Sequence, residues 1–122
     1  MSGKQEFGKK GESLAVRHLK KNGYRILEQN YRTKLGEIDI VAKEKGTIVF
    51  VEVKARRSDR FGSPKWAVTP KKQRKISMVA LQYLKSKNQT REKARFDVVS
   101  IRLTSEGPGI EIIKNAFELA YK

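Results

Sequence analysis

The sequence predicts a mixed α/β domain whose elements run in the order helix, three strands, helix, two strands. Two segments, 6–22 and 70–87, carry apolar residues at helical spacing. Two runs rich in β-branched residues, 36–43 and 47–55, flank a short turn sequence. This alternation of helices and strands favours a layered α/β fold. At 122 residues without an internal repeat, the chain is predicted to be a single domain over 1–122.

The first helix is predicted over residues 6–22 and the first strand over 24–31. Gly8 and Gly11 weaken the helix, but they allow another element to approach its backbone closely. Gly23 is expected to end it. One side of the helix is apolar apart from a histidine, and that side carries Phe7, Leu14, Ala15, His18 and Leu19.

The next two strands form a predicted β-hairpin. A two-residue turn at Lys45-Gly46 suits glycine, because such turns need positive φ angles. This turn pairs Glu44 with Thr47, and that pair sets the register of the whole hairpin.

In that register Asp39 lies opposite Glu52, and Glu37 lies opposite Lys54. Directly opposed residues share a face, so these four charged side chains are expected to cluster. Burying a charge beside an apolar core costs free energy unless another group compensates the charge. A cluster of charges there therefore favours a role in function. The other face is predicted to be apolar core and consists of Ile38, Ile40, Ala42, Val49, Val51 and Val53.

The second half of the chain is predicted to hold one helix and two strands. Gly62 and Pro64 interrupt the segment before the helix, which is expected to be a loop. Thr69 can cap a helix whose first residue is Pro70. The predicted elements are a loop over 56–68, a helix over 70–87, strands over 95–103 and 110–114, and a turn over 107–109.

Composition points to a polyanionic partner. The formal net charge is +15 and the sequence pI is near 10.2, values typical of proteins that bind nucleic acid. The chain has no cysteine, which excludes disulfides and thiolate metal sites. No apolar run is long enough for a membrane span, and no signal peptide is visible, so no membrane partner and a cytoplasmic location are expected.

Basic residues concentrate in residues 54–75, which hold nine lysines and arginines against one acidic residue. Four of them crowd the first turns of the second helix, where the helix dipole disfavours cations, so their placement favours binding over stability. Gln73 lies among them and either reaches a phosphate or water, or is simply solvated. The residues predicted to contact nucleic acid are Arg56, Arg57, Arg60, Lys65, Lys71, Lys72, Arg74 and Lys75.

Several short motifs, spread over nearly the whole chain, carry a resemblance to a known family. They are Gly8-x-x-Gly11-Glu12-x-x-Ala15, Asn30-Tyr31-Arg32, Gly36-Glu37-Ile38-Asp39, Phe50-Val51-Glu52-Val53-Lys54-x-Arg56, Lys72-Gln73-Arg74-Lys75, Arg95-Phe96-Asp97-Val98-Val99 and Asn115-Ala116-Phe117. Together they resemble the YraN family of predicted bacterial endonucleases, within the PD-(D/E)xK, or restriction-endonuclease-like, superfamily, and are similar to archaeal Holliday junction resolvases. No proline precedes Asp39, where the superfamily motif is named for one.

The resemblance implies a restriction-endonuclease-like αβββαβ core, with a central mixed sheet flanked by helices. It places Glu12, Asp39, Glu52 and Lys54 at the catalytic positions. Asp39, Glu52, the Val53 carbonyl and Glu12 would hold Mg²⁺ or Mn²⁺, which prefer oxygen ligands. Lys54 would orient or deprotonate the attacking water. A homodimer is expected only by analogy with the resolvases.

The expected function is metal-dependent hydrolysis of DNA, with branched or flapped DNA as the candidate substrate. The alternatives are a nucleic-acid-binding protein with a vestigial site, and a basic scaffold on RNA or ribosomes.

Each candidate also has a simpler interpretation. Asp39 and Glu52 can be charges on a solvated sheet face, and Lys54 can pair with Glu37. Glu12 can be a favourable acid in an early helical turn. Glu37 itself is either an outer contact of the site or an ion-pair partner.

Overall fold

A computed structural model describes residues 3–56 and 68–118 and contains a five-stranded sheet with a helix on each face. The order of elements is the predicted one. Their bounds are α1 Gly3–Lys21, β1 Arg25–Thr33, β2 Gly36–Glu44, β3 Thr47–Arg56, α2 Pro70–Ser86, β4 Ala94–Thr104 and β5 Gly107–Phe117.

The strands lie in the sheet in sequence order, from β1 to β5. Strands β3 and β4 are parallel, and the other neighbours are antiparallel. Parallel neighbours need a long crossover, and α2 lies within that connection. The predicted fold class is therefore confirmed: a mixed sheet flanked by helices, consistent with a restriction-endonuclease-like core.

The hairpin between β2 and β3 has the predicted turn. Lys45 and Gly46 have φ angles of 50° and 83°, and positive values at both central residues belong to the type I′ turn that suits twisted strands. The pairs run from Glu44–Thr47 to Ile40–Val51, in the predicted register.

The last hairpin differs from its prediction. We expected a turn over 107–109, but β5 already begins at Gly107. The Thr104 hydroxyl accepts the Glu106 backbone N–H (3.2 Å) and donates to the Gly107 carbonyl (3.0 Å), which closes a tighter turn two residues earlier. The strand therefore starts before Pro108, which lies on the edge strand, where proline is tolerated.

Both faces of the sheet are buried in its middle, so the prediction of one apolar face and one charged face is wrong. Val41, Ile48 and Phe50 pack beneath α2, on the face that was expected to carry the charges. Ile38 and Ile40, which were predicted to share one face, pack on opposite sides: Ile40 on the α1 side and Ile38 on the α2 side. Side-chain alternation along β2 is thus broken between Ile38 and Ile40.

Helix α1 approaches the sheet closely at Gly11, as predicted. A Cβ added at Gly11 would lie 2.9 Å from the Cβ of Ala55 on β3, a separation that real Cβ atoms do not show. Gly8 plays no such role, since a Cβ there meets nothing within 4 Å among the described residues.

The start of α2 is built as its sequence indicates. The Thr69 hydroxyl accepts the Lys72 backbone N–H at 3.2 Å, and Pro70 occupies the first turn. Gln73 donates from its side-chain amide to the Val68 carbonyl at 2.7 Å. That contact anchors the chain entering the helix, while a role for Gln73 beside the site stays a prediction.

Candidate functional site

Strands β2 and β3 stop pairing at Asp39. The last pair is Ile40–Val51, and the next backbone N–H of β3 that faces β2, that of Val53, donates to Asp39 Oδ2 at 2.9 Å. A carboxylate therefore stands where a backbone carbonyl would continue the ladder. This substitution opens the hairpin and accounts for the broken alternation on β2.

The predicted pairs Asp39–Glu52 and Glu37–Lys54 do not form, because the ladder ends before them. Glu37 pairs instead with Arg32 of β1, and Arg32 Nε lies 3.4 Å from Glu37 Oε1. Of the two interpretations of Glu37, the structure shows the ion pair.

Asp39 is the most strongly perturbed carboxyl of this end of the sheet. Burial raises its pKa, the charge of Glu52 raises it further, and the Val53 N–H opposes both. Smaller contributions from Glu12 and Glu37 also raise the pKa, which reaches about 7. The predicted acids thus lie close enough to act on one another electrostatically, although the strands do not pair there.

Glu12 extends from α1 towards the Asp39 end of the sheet, and Asn30 of β1 holds its carboxylate. Its Oε1 accepts the Asn30 side-chain amide at 3.0 Å. Asn30 has φ 55° inside a strand, a conformation that asparagine tolerates better than most residues. No role for Asn30 was predicted from the sequence. Its signals were a place in the motif Asn30-Tyr31-Arg32 and a polar, strand-disfavoured side chain inside a predicted strand.

A cavity of about 500 Å³ opens beside Asp39 on the α1 side of the sheet. Lys9 and Arg32 bring positive charge to it, which suits a phosphate close to the carboxylates. Neither residue was predicted to belong to the site. Its lining consists of Gly8, Lys9, Glu12, Asn30, Arg32, Asp39, Val53 and Ala55.

Glu52 is buried, with 9% of its surface exposed, and is held from α2. Lys72 Nζ lies 2.7 Å from Glu52 Oε2. The hydrogen bond to Glu52 raises the pKa of Lys72, with further support from the charges of Asp39 and Glu37. Lys54 follows Glu52 by two residues on β3 and so shares its face.

The other predicted phosphate contacts divide into two groups. Lys71, Arg74 and Lys75 are exposed on the first turns of α2, and Arg56 is half-buried at the end of β3. A second cavity, of about 280 Å³, lies between these turns and the start of β2, and Lys71, Lys72 and Lys75 contribute to its lining. Three predicted contacts, Arg57, Arg60 and Lys65, lie outside the described residues.

A second acidic group lies at the opposite end of the hairpin and is fully paired. Arg95 donates to Glu44 and to Asp97, and Lys114 Nζ lies 3.0 Å from Glu44 Oε2. Asp97 also accepts the Tyr24 hydroxyl at 2.7 Å and has no exposed surface. These contacts give Asp97 a structural role.

The donors at the Asp39 end are suited to a hard dication. Asp39, Glu52 and Glu12 offer carboxylate oxygens, the ligands that Mg²⁺ and Mn²⁺ prefer. Burial is the main cause of the raised pKa of Asp39 and the charge of Glu52 is the second, and a bound dication would favour the charged form of both carboxyls. Within 3–56 and 68–118, no three His, Cys, Asp or Glu side chains are already grouped as a metal site.

Comparison with known proteins places the chain in a family. The model of the uncharacterised protein family UPF0102 matches residues 11–101. The chain belongs to this family. A UPF0102 protein of Syntrophus aciditrophicus is 58% identical over 114 residues, covering 93% of this chain and 90% of that protein. Another, from Geobacter metallireducens, is 55% identical over 117 residues and covers 96% of each.

Among solved structures, SfsA of Pyrococcus furiosus in complex with Ca²⁺ matches with a TM-score of 0.42 and 18% identity. The match covers 96% of this UPF0102 chain and 64% of SfsA. Neither α1 nor α2 of the family member described here is long and apolar enough to cross a membrane.

Proposed function

We propose that this UPF0102 protein hydrolyses phosphodiester bonds of DNA with a divalent metal, as an endonuclease of the PD-(D/E)xK type. One observation carries the proposal. Asp39 interrupts the β2–β3 ladder and lies among three other carboxylates, with a pKa raised to about 7. Perturbed acids of this kind, beside a cavity with cationic residues, are typical of active sites rather than of structural ion pairs.

Each residue of the site has a proposed role in metal binding or in positioning the attacking water. Asp39, Glu52, Glu12 and the Val53 carbonyl would hold Mg²⁺ or Mn²⁺. Such an ion lowers the pKa of a bound water and polarises the phosphoryl group. The Val53 N–H fixes the Asp39 carboxylate, and the Asn30 amide fixes that of Glu12. Lys54 would orient the attacking water and neutralise charge developing on phosphate.

DNA would lie across the lysines of α2 and the mouth of the Asp39 cavity. The four basic residues of the first turns of α2 are exposed, and Lys9 and Arg32 extend the positive charge to the α1 side. Branched or flapped DNA is the proposed substrate class. A homodimer and a cytoplasmic location stay predictions.

Cleavage of a panel of linear, single-stranded, flapped and four-way DNA in Mn²⁺ tests the activity. Asp39→Asn and Glu52→Gln should reduce the rate roughly a thousandfold, because each removes ligand charge that supplies several kcal/mol of transition-state stabilisation. Lys54→Ala should slow cleavage while Mn²⁺ still binds. The matched control is Glu92→Gln, an exposed acid remote from the site in sequence. Cleavage at the parent's rate by all three site variants would reject the mechanism.

DNA affinity tests the binding surface separately. Each lost phosphate contact reduces the slope of log affinity against log salt concentration by about 0.9 on duplex DNA. Neutralising the four basic residues of α2 together should therefore flatten that slope markedly. An unchanged slope would place the binding face elsewhere on the protein.

One observation favours a second function, that of a nucleic-acid-binding protein without turnover. The Lys72 ammonium already compensates Glu52, so the carboxylates have a partner that is not a metal. Such a protein would bind DNA or structured RNA through α2, and no member of the substrate panel would be cut in Mn²⁺.

A further inference from the structure

Lys72 occupies an unusual position in its helix. With Thr69 as the N-cap, Lys72 is the third helical residue, and Thr69 Oγ1 accepts its N–H. In the capping box this position carries Glu or Gln, which returns a hydrogen bond to the cap. A lysine there forgoes that bond and also places a cation at the positive end of the helix dipole.

The Lys72 side chain is directed at the carboxylates instead. Its Nζ lies 2.7 Å from Glu52 Oε2, and the two side chains are 55% and 10% exposed. Asp39 and Glu37 also act on Lys72 electrostatically. The Lys72 ammonium is therefore the counter-ion of a buried carboxylate, although about half of the Lys72 side chain is exposed to solvent.

We propose that Lys72 is a displaceable counter-ion. It neutralises Glu52 while the site holds no dication. Once Glu52 binds a dication, the Lys72 ammonium moves to a phosphate oxygen of the DNA. This inference rests on the proposed function. A lysine side chain has the flexible stem that such a movement needs. The same residue would thus lower the affinity of the free protein for metal and add to the affinity of the loaded protein for DNA.

Metal affinity is the first test, measured by calorimetric titration of the intact protein with Mn²⁺ in the absence of DNA. Lys72→Gln removes the competing cation and should bind Mn²⁺ roughly tenfold more tightly, the effect expected from losing one charge-assisted hydrogen bond. Lys71→Gln is the matched control, with the same charge change one residue earlier on the exposed surface. Lys72→Arg retains a competing cation and should bind Mn²⁺ like the parent.

Salt dependence of DNA binding is the second test, measured by anisotropy of a labelled duplex in EDTA and in Ca²⁺. Lys71→Gln should lower the slope by about 0.9 in both buffers, since its phosphate contact does not depend on metal. Lys72→Gln should lower it by that amount only in Ca²⁺. Glutamine suits the third helical position, so this variant is expected to fold, which thermal unfolding checks.

The outcomes separate this inference from the function on which it rests. If Mn²⁺ binds the parent but not Asp39→Asn, while Lys72→Gln and Lys71→Gln bind it equally, the counter-ion role is wrong and the metal site stands. A slope lowered equally by Lys72→Gln in both buffers also overturns the role, because Lys72 would then contact phosphate at all times. If neither the parent nor Lys72→Gln binds Mn²⁺ at this cluster, both proposals fail.

Discussion

The two ends of the β2–β3 hairpin treat their buried acids in opposite ways. Glu44 and Asp39 lie on the same strand, roughly 16 Å apart at the usual rise per residue. At the turn end, Glu44 is bound by Arg95 and Lys114, and its pKa is lowered, chiefly by the Arg95 hydrogen bond. At the open end, burial and, after it, the charge of Glu52 raise the pKa of Asp39 to about 7.

The two environments have opposite effects on stability as the pH changes. A carboxyl whose pKa is lowered on folding, such as Glu44, stabilises the protein above the pKa of the unfolded chain, and that contribution is lost as the pH falls through the folded value. A carboxyl whose pKa is raised, such as Asp39, behaves in the reverse sense. Its contribution is present at low pH and is lost as the pH rises from about 4 towards 7.

Under the proposed function, this difference separates acids that stabilise the fold from acids that bind the metal. Arg95 compensates both Glu44 and Asp97 at the turn end. At the open end, Lys72 compensates Glu52, whereas the pKa of Asp39 stays raised. An arrangement that concentrates negative charge at the cost of stability needs another reason, and charge storage at a site is the usual one.

The largest effect on stability is expected from removing the cation that pairs with the acids at the turn end of the hairpin. Arg95→Met leaves Glu44 and Asp97 without their shared partner and should lower the free energy of unfolding by about 3–5 kcal/mol at pH 7. Urea denaturation in EDTA measures it. Lys72→Gln, at the open end, should lower the free energy of unfolding by only about 1 kcal/mol, because Lys72 is 55% exposed and solvent screens its pair with Glu52. Equal losses in the two variants would remove the contrast between the ends.

A smaller effect should follow from filling the close approach of α1. Gly11→Ala brings a Cβ to 2.9 Å from that of Ala55 and should cost about 1–3 kcal/mol, since neither atom can rotate away. It should also weaken Mn²⁺ binding, because α1 carries Glu12. Gly8→Ala is the control for stability: its Cβ meets no neighbour among the described residues, and better helix propensity should stabilise the protein by up to about 1 kcal/mol. If both substitutions stabilise the protein, α1 does not pack as described.

The smallest effect concerns Asp39 and pH. Asp39→Asn removes the charge but retains an acceptor for the Val53 N–H, so it should stabilise the metal-free protein at pH 8. The gain should be about 1–2 kcal/mol larger at pH 8 than at pH 5, where the native Asp39 is already protonated. Denaturation curves at the two pH values measure it, with Glu92→Gln as a variant that should show no such dependence. A gain equal at both pH values would mean that Asp39 is not perturbed.

Local chemistry made most of the fold predictable. The Lys45-Gly46 turn set the hairpin register, and Thr69-Pro70 set the start of α2, because both act through backbone geometry within a few residues. The five strands and two helices followed from hydrophobic spacing.

The parts that failed depend on tertiary contacts. Strict alternation placed Ile38 with Ile40, but the Asp39 side chain replaces a ladder acceptor and shifts Ile38 to the α2 side. Register prediction assumes that backbone carbonyls accept the ladder hydrogen bonds, so it could not foresee a side-chain carboxylate in that place. Asn30 was missed as a partner of Glu12 for a similar reason: the two meet only when α1 lies against β1.

The site itself was predicted as a set of residues but not as a geometry. The predicted register placed Asp39 with Glu52, the family resemblance added Glu12, and the structure brings the three within electrostatic reach. The sequence could not show that Lys72, expected on phosphate, lies on Glu52 instead. The partner of a long side chain depends on which groups lie near it in the folded protein, and the spacing of residues along the sequence does not give those distances.

The central claim is that the acids around Asp39, whose pKa is raised by burial and by the charge of Glu52, bind a dication. The most direct measurement is the shift in unfolding temperature caused by Mn²⁺ in the parent, Asp39→Asn and Glu44→Gln. At a Mn²⁺ concentration of 100 Kd, binding should stabilise the parent by about 2.7 kcal/mol. Glu44→Gln should start from a lower unfolding temperature yet show the same shift, and Asp39→Asn should show none. A shift that persists in Asp39→Asn, or that is lost in Glu44→Gln alone, would contradict the account.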